Sequence, residues 1–278
     1  MSYQEFNTND IPDEVFETIR QHIDWYSTGL IRVRQNKFSE EVALIGSGTF
    51  VTVGDIHGIL TAQHVAARLS NVLDLGLTLS PEEHKYVLKR GTLSIIEVAK
   101  GSQDSEGPDL ALIVIPGNEL EAIKAKKSFY PISLKREKAL GSSLPFDMGI
   151  WAICGYPDEH TTEEPSRLGF DSVTGFHGIC GFALLGKAFE KDNFDYLDFE
   201  VSCAKEKSLP SSYGGVSGGG VWQLELKLKD GKLAPQDPIL SGVAFYQSDI
   251  QNDKRTIRCH GRQSLYKVAH DQILAHSS

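Results

Sequence analysis

The sequence predicts an all-β fold, a sandwich or a barrel, with a helix near each end of the chain. Three observations lead there. From about residue 28 to 260 the chain is a succession of short Val-, Ile-, Leu-, Phe- and Thr-rich runs cut by Gly, Pro, Asp and Ser, the pattern of strands joined by tight turns. Apolar stripes at helical spacing occur near the two ends. No strand–helix alternation runs along the chain, so parallel βα units are not expected.

In order, residues 12–26 place Val15, Phe16, Ile19, Ile23 and Tyr26 on one helical face. An acidic first turn suits the positive end of that helix. Strand candidates follow: LIRVRQ from residue 30, VALIG from 42, GTFVTVGD from 48, GILTA from 58, TLSIIEVAK from 92 and LALIVI from 110. Between them, Ser80-Pro81-Glu82-Glu83 reads as a capping box with proline at the first helical position, predicting a short inserted helix over 81–90. The stretch 115–148 is the most polar interior region and has no strand-like period over most of its length, which places a connection between two β units there. Strands resume with GIWAICGYP from 149, FDYLDFEVS from 194, VWQLELKL from 221 and ILSGVAFYQ from 239. Finally Leu265, Val268, Ala269 and Ile273 put a helix over Ser264 to Ala275.

Composition narrows the function. The chain has 278 residues, 40% hydrophobic and 23% charged, enough for one large core or two modest ones. Its net charge is −9 and no cluster of Lys or Arg forms a phosphate-binding face, which argues against nucleic acid as the main partner. The longest purely aliphatic run, Leu110 to Ile115, is far short of the roughly 20 residues that cross a bilayer, so no membrane association is expected. The N-terminal residues lack a basic segment followed by an apolar one, so a cytoplasmic protein is expected. Cys154, Cys180, Cys203 and Cys259 match no zinc-type spacing and read as reduced thiols. The nine histidines include no H-E-x-x-H, so neither metal nor cofactor is expected.

Three local signals carry chemistry-bearing residues in the order His, Asp, Ser. The first is Gly46-Ser47-Gly48-Thr49-Phe50-Val51, followed after a turn by Gly58-Ile59-Leu60-Thr61-Ala62-Gln63-His64-Val65. The second is Pro108-Asp109-Leu110-Ala111-Leu112, an aspartate at the mouth of a buried strand. The third is Ser211-Ser212-Tyr213-Gly214-Gly215-Val216-Ser217-Gly218-Gly219-Gly220. Singly, each has an ordinary structural reading: a core histidine, a turn aspartate, a flexible loop. Yet five glycines within seven residues cost roughly 0.5–1 kcal/mol each in chain entropy, and backbone amides presented to a ligand are one reason for them.

Together the three signals resemble the chymotrypsin-like (trypsin-like) serine peptidase family, whose motifs read G-x-G-[ST]-x-[FVI]…L-T-A-A-H-V, D-[IL]-A-[LV] and G-D-S-G-G-P. The resemblance spans about residues 28–276 and implies a double β-barrel. A helical extension over 1–27 lies outside it, and the resemblance implies a first barrel over 28–130 and a second barrel with the C-terminal helix over 145–278. It casts His64 as general base, Asp109 as the carboxylate that orients it, Ser217 as nucleophile, and the N–H groups of Gly215 and Ser217 as the oxyanion hole. His57, Asp104 and Glu106 compete for the base and acid roles and read as solvated loop residues. In that family the position six before the nucleophile lies at the base of the specificity pocket, so the resemblance implies that role for Ser211, with Ser212 and Tyr213 beside it. The strand Gly242, Val243, Ala244, Phe245, Tyr246, Gln247 resembles the one that pairs with substrate, Gln247 narrowing the entrance. An uncharged pocket follows, with preference for a small or medium uncharged residue before the scissile bond.

The sequence departs from the family at Gln63, Val216 and Gly220. Val216 stands where the family's aspartate pairs with a freed N-terminus, so activation by N-terminal cleavage is not expected. The expected partner is a protein or peptide substrate, with a regulatory protein partner left open. Two alternatives compete. One is a catalytically silent protease-like fold acting as a protein-binding module. The other is an α/β-hydrolase elbow at Gly215-Val216-Ser217-Gly218-Gly219, which would need a helix after Ser217 and would draw on Asp249 or Asp253 with His260 or His270.

Overall fold

The computed structural model describes residues 11–35, 40–72, 74–80, 85–100, 107–141, 149–165, 172–202, 210–229 and 232–276. It is all-β with few helices. The N-terminal half is an eight-stranded sheet of β1 (Ser27–Gln35), β2 (Glu40–Val53), β3 (Ile56–Thr61), β4 (Asp74–Leu77), β5 (Tyr86–Lys89), β6 (Ser94–Ala99), β7 (Leu110–Val114) and β8 (Tyr130–Pro131). Its order is β5-β4-β1-β2-β3-β7-β6, with β8 pairing alongside β2. The C-terminal half contains β9 (Ile150–Gly155), a hairpin of β10 (Thr161–Pro165) and β11 (Ser172–Phe176), β12 (Ile179–Lys191), β13 (Phe194–Ser202), β14 (Gly220–Leu224), a hairpin of β15 (Leu226–Lys229) and β16 (Lys232–Pro235), β17 (Ile239–Gln247) and β18 (Lys254–His260). Six of these close a barrel in the order β12-β13-β18-β17-β14-β9.

Helix α1 (Asp13–Asp24) buries Val15, Ile19 and Ile23, the stripe that its sequence predicts. It lies beside β1 and β16, and the Phe16 ring meets that of Phe182 on β12 at 4.6 Å. Just beyond it, Tyr26 stacks on Trp222 of β14 and meets Tyr130 of β8 edge-on, so one aromatic cluster spans the sheet and the barrel. Short helices α2 (Gln63–Ala67), α3 (Leu120–Lys124) and α4 (Ile132–Gly141) connect strands. The chain closes with a π-helical turn over Ser264–Ala269 that runs into α5 (His270–Ala275).

Two expectations need correction. Tyr86–Lys89 form strand β5 against β4, not the end of a helix, because Leu88 reaches the core while its neighbours face outward; residues 81–84 lie outside the described residues. The run from Val221 to Leu228 is not one strand: β14 joins the barrel and β15 turns away to pair with β16. Cys154 and Cys180 face each other across β9 and β12 as free thiols, and Cys203 is outside the described residues. No helix among the described residues is long and apolar enough to cross a membrane.

Candidate active site

Strand register sets the first two residues of the site. β3 and β7 are antiparallel with Thr61 opposite Ala111, so the residues just past the end of β3 face those just before β7. His64 stands one residue into α2 and Asp109 immediately before β7. The His64 backbone N–H, one of the first-turn donors that a helix leaves unpaired, donates to Asp109 Oδ1 at 2.9 Å. The ring Nδ1 bonds Asp109 Oδ2 at 2.6 Å. Asp109 is 2% exposed, so both carboxylate oxygens are held out of water by one residue. With Nδ1 donating to the carboxylate, Nε2 carries the lone pair.

Behind Asp109 stands a residue that sequence reasoning placed elsewhere. The Asp109 backbone N–H donates to Nε2 of His260 at 2.9 Å. His260 ends β18, is fully buried, and packs against the rings of Phe194, Tyr196 and Phe245. Burial depresses it to about 4, against the opposing pull of Asp109 and Asp195. Because Nε2 accepts, the proton of this neutral ring is on Nδ1, which has no partner among the described residues.

Ser217 is carried by the loop over 210–219 that leads into β14. Ser47 of β2 fixes this loop: its N–H donates to the Ser217 carbonyl at 2.8 Å, and its buried hydroxyl donates to the Gly215 carbonyl at 2.7 Å while accepting from the Tyr156 N–H at 2.8 Å. The Thr61 hydroxyl donates to the Ser47 carbonyl at 2.7 Å. A Cβ on Gly46 would sit 2.5 Å from Val65 Cγ1 and 3.0 Å from the Ser217 carbonyl oxygen, so β2 passes without a side chain between the Ser217 loop and the His64 helix. The Ser217 hydroxyl donates to the Phe245 carbonyl at 3.5 Å. No hydrogen bond joins it to His64 among the described residues.

Gly215 has φ +87°, and a Cβ there would meet the Tyr156 carbonyl oxygen at 2.5 Å, so only glycine serves. Around it the loop's amides divide into two sets. Val216, Gly218 and Gly219 donate to the carbonyls of Tyr213, Ala244 and Val216. The N–H groups of Gly215 and Ser217 donate to no described residue, which leaves two neighbouring donors for an anionic oxygen. Val216 is 1% exposed and packs with Tyr213 in the smaller core cluster of the barrel. That burial anchors the middle of the loop in the barrel core. Asp158 lies beside Gly214 and Gly215; burial raises it, with Arg68 opposing.

The other expected residues separate. Phe245, Tyr246 and Gln247 lie on the part of β17 beyond its pairing with β14, which stops at Val243; there β17 pairs with β18 and its other edge pairs with no described strand. Gly242 is not on that edge. It lies opposite Val221 of β14, and a Cβ would meet the His260 carbonyl at 2.3 Å, so it is a packing glycine. Two charged side chains bond to residues expected to line the specificity pocket. Ser211 donates through its N–H and hydroxyl to Glu159 at 2.8 and 2.6 Å, which holds that carboxyl below its ordinary range. Gln247 Oε1 accepts from the Tyr213 N–H at 2.9 Å and from Arg255 Nη1. Both charged residues come from segments that carry no motif. His57 lies on β3, half-buried, with its ring against Phe129, rather than in a solvated turn. Asp104 and Glu106 lie outside the described residues.

A strand follows Ser217 where an α/β-hydrolase needs a helix, and His260 serves Asp109 rather than Asp249 or Asp253, so that alternative fails. Among the described residues no three His, Cys, Asp or Glu gather so as to hold a metal.

No protein-family model and no curated protein matches this chain. Among solved structures, one described as "Rv3671c protease from M. tuberculosis, active form" is 10% identical, with TM-score 0.43 over 92% of this chain and 88% of that one. Another, from work on the coupled folding and binding of the Sesbania mosaic virus VPg protein, is 14% identical, with TM-score 0.41 over 87% of this chain and 89% of that one. Likenesses this distant assign no activity to the chain.

Proposed function

We propose that this chain is a serine endopeptidase with His64, Asp109 and Ser217 as its triad, working in a cleft between the sheet and the barrel. The observation that carries the reading is the doubly bonded His64–Asp109 pair beside a serine loop whose two free amides are Gly215 and Ser217. Ser217 Oγ attacks the peptide carbonyl carbon while His64 Nε2 takes its proton, and buried Asp109 stabilises the imidazolium. The tetrahedral oxygen accepts from the Gly215 and Ser217 N–H groups. Collapse expels the amine, which receives its proton from His64. Water, deprotonated by the same nitrogen, then releases the acyl group. The open edge of β17 would hold the substrate backbone.

A second reading, a protease-like fold used only for protein binding, is favoured by one observation, the Ser217 hydroxyl bonded to Phe245 rather than to His64. Apo catalytic hydrogen bonds commonly tighten only with substrate, which keeps the peptidase reading first. Labelling with a fluorophosphonate separates the two. A catalytic chain is labelled, and the label disappears in Ser217→Ala and falls sharply in His64→Ala. Folded wild-type protein that takes up no label would establish the binding module.

A further inference from the structure

Arg255 lies on β18 two residues before Ile257, which faces Gln247 across the β17–β18 ladder. Residues two apart on a strand share a face, so Arg255 follows Ile257 and Cys259, both in the barrel's smaller core cluster with Tyr213 and Val216. Its Nη1 donates to Gln247 Oε1, the oxygen that also accepts from the Tyr213 N–H, and Gln247 Nε2 donates to the Ser212 hydroxyl at 3.4 Å. This cluster therefore ties the start of the nucleophile loop to the strand whose Phe245 carbonyl receives the Ser217 hydroxyl. Arg255 Nε is buried and has no hydrogen-bond partner, and no ion pair to Arg255 exists among the described residues. Glu200 and Asp249 line a cleft of about 530 Å³ together with Arg255, but Glu200 pairs with Lys254.

A buried N–H donor without an acceptor leaves a hydrogen bond unmet. The group that best answers a guanidinium with Nε unused is a carboxylate, which takes two parallel N–H donors from it. We propose that Arg255 is the specificity-determining residue of the pocket, selecting peptides with Glu or Asp immediately before the scissile bond. The proposal rests on the peptidase reading for the bond that is cut, but the recognition it describes is a binding event and is measured as one.

The test uses full-length Ser217→Ala protein and matched peptides ending in Glu, Gln, Leu or Arg, titrated by calorimetry. The Glu peptide is expected to bind about 10- to 100-fold more tightly than the Gln peptide, the range of a charge-assisted bidentate contact. Arg255→Gln is expected to bring that ratio to about 1, and Arg255→Lys, which keeps the charge without the fork, to leave an intermediate ratio. Equal binding of Glu and Gln peptides, a Glu preference that survives in Arg255→Gln, or no binding of any peptide overturns the proposal. Fluorophosphonate labelling of the Ser217-containing protein reads the nucleophile separately. An unlabelled chain with an Arg255-dependent Glu preference sustains this proposal and removes the peptidase reading. A labelled chain without that preference does the reverse.

Discussion

Acid should weaken this protein through His260. The ring is fully buried, accepts the Asp109 N–H at Nε2 and is depressed from 6.5 to about 4. Between those values the unfolded chain binds a proton at this residue that the folded chain does not. Stability at this site is therefore intact above pH 6.5 and is lost progressively as pH falls towards 4. A gap of about 2.5 pK units corresponds to about 3 kcal/mol, with a limiting slope near 1.4 kcal/mol per pH unit. Carboxylates titrate in the same region, so the diagnostic quantity is a difference. Urea unfolding of wild type and His260→Gln, which offers a carbonyl oxygen as acceptor but cannot charge, is measured from pH 7 to pH 4 at constant ionic strength. The wild-type advantage over the variant should shrink by about 3 kcal/mol across that range. Parallel curves, or an NMR titration of His260 centred near 6.5, would refute the reasoning.

Asp109→Asn should keep the fold but supply the wrong imidazole partner, lowering turnover by about 10⁴; near-normal peptide hydrolysis would remove Asp109 from the triad. Ser47→Ala leaves the buried Tyr156 N–H without its acceptor and frees the Gly215 carbonyl, so thermal unfolding should show a loss of about 1–3 kcal/mol and fluorophosphonate labelling should slow. Protein beginning at Met1 should be active, or be switched on by binding, without proteolysis, because buried Val216 offers no partner to a new ammonium. A rise of about a hundredfold on trimming near residues 27–30 would contradict that reading, since an ion pair of this kind would then have to form.

What could be read from the sequence was what is contiguous in it. The strand bearing Phe50, the Leu110–Val114 strand and the α1 stripe announce themselves through local apolar pattern, and His64, Asp109 and Ser217 each sit inside their own motif. Strands β12 and β18 do not. β12 is half-exposed along most of its length, and β18 alternates Lys254, Arg255 and Arg258 with its buried residues, so neither shows a clear period of two. Neither His260 nor Arg255 signals its contacts in the sequence: His260 accepts from Asp109, 151 residues away, and Arg255, only eight residues from Gln247, lies on a strand whose polar composition hides it. Ser47 stands in the first motif with no role of its own, since nothing nearby in sequence shows that its hydroxyl reaches Gly215, 168 residues on. The helix expected over 81–90 failed at Tyr86–Lys89 because pairing with β4 outweighs a local capping signal.

The Ser47 contacts bear on the timing of synthesis. The loop that presents Ser217 takes its shape from Ser47 in the second strand, from Tyr156 after the ninth, and from Ala244 in the seventeenth. Asp109, meanwhile, leans on His260 at the end of the eighteenth. No chain interrupted before residue 260 contains all of these supports. On the peptidase reading, a growing polypeptide on the ribosome would hold its reactive serine in an unshaped loop until residue 260 has emerged and folded, and until then would be unable to cut itself or its neighbours.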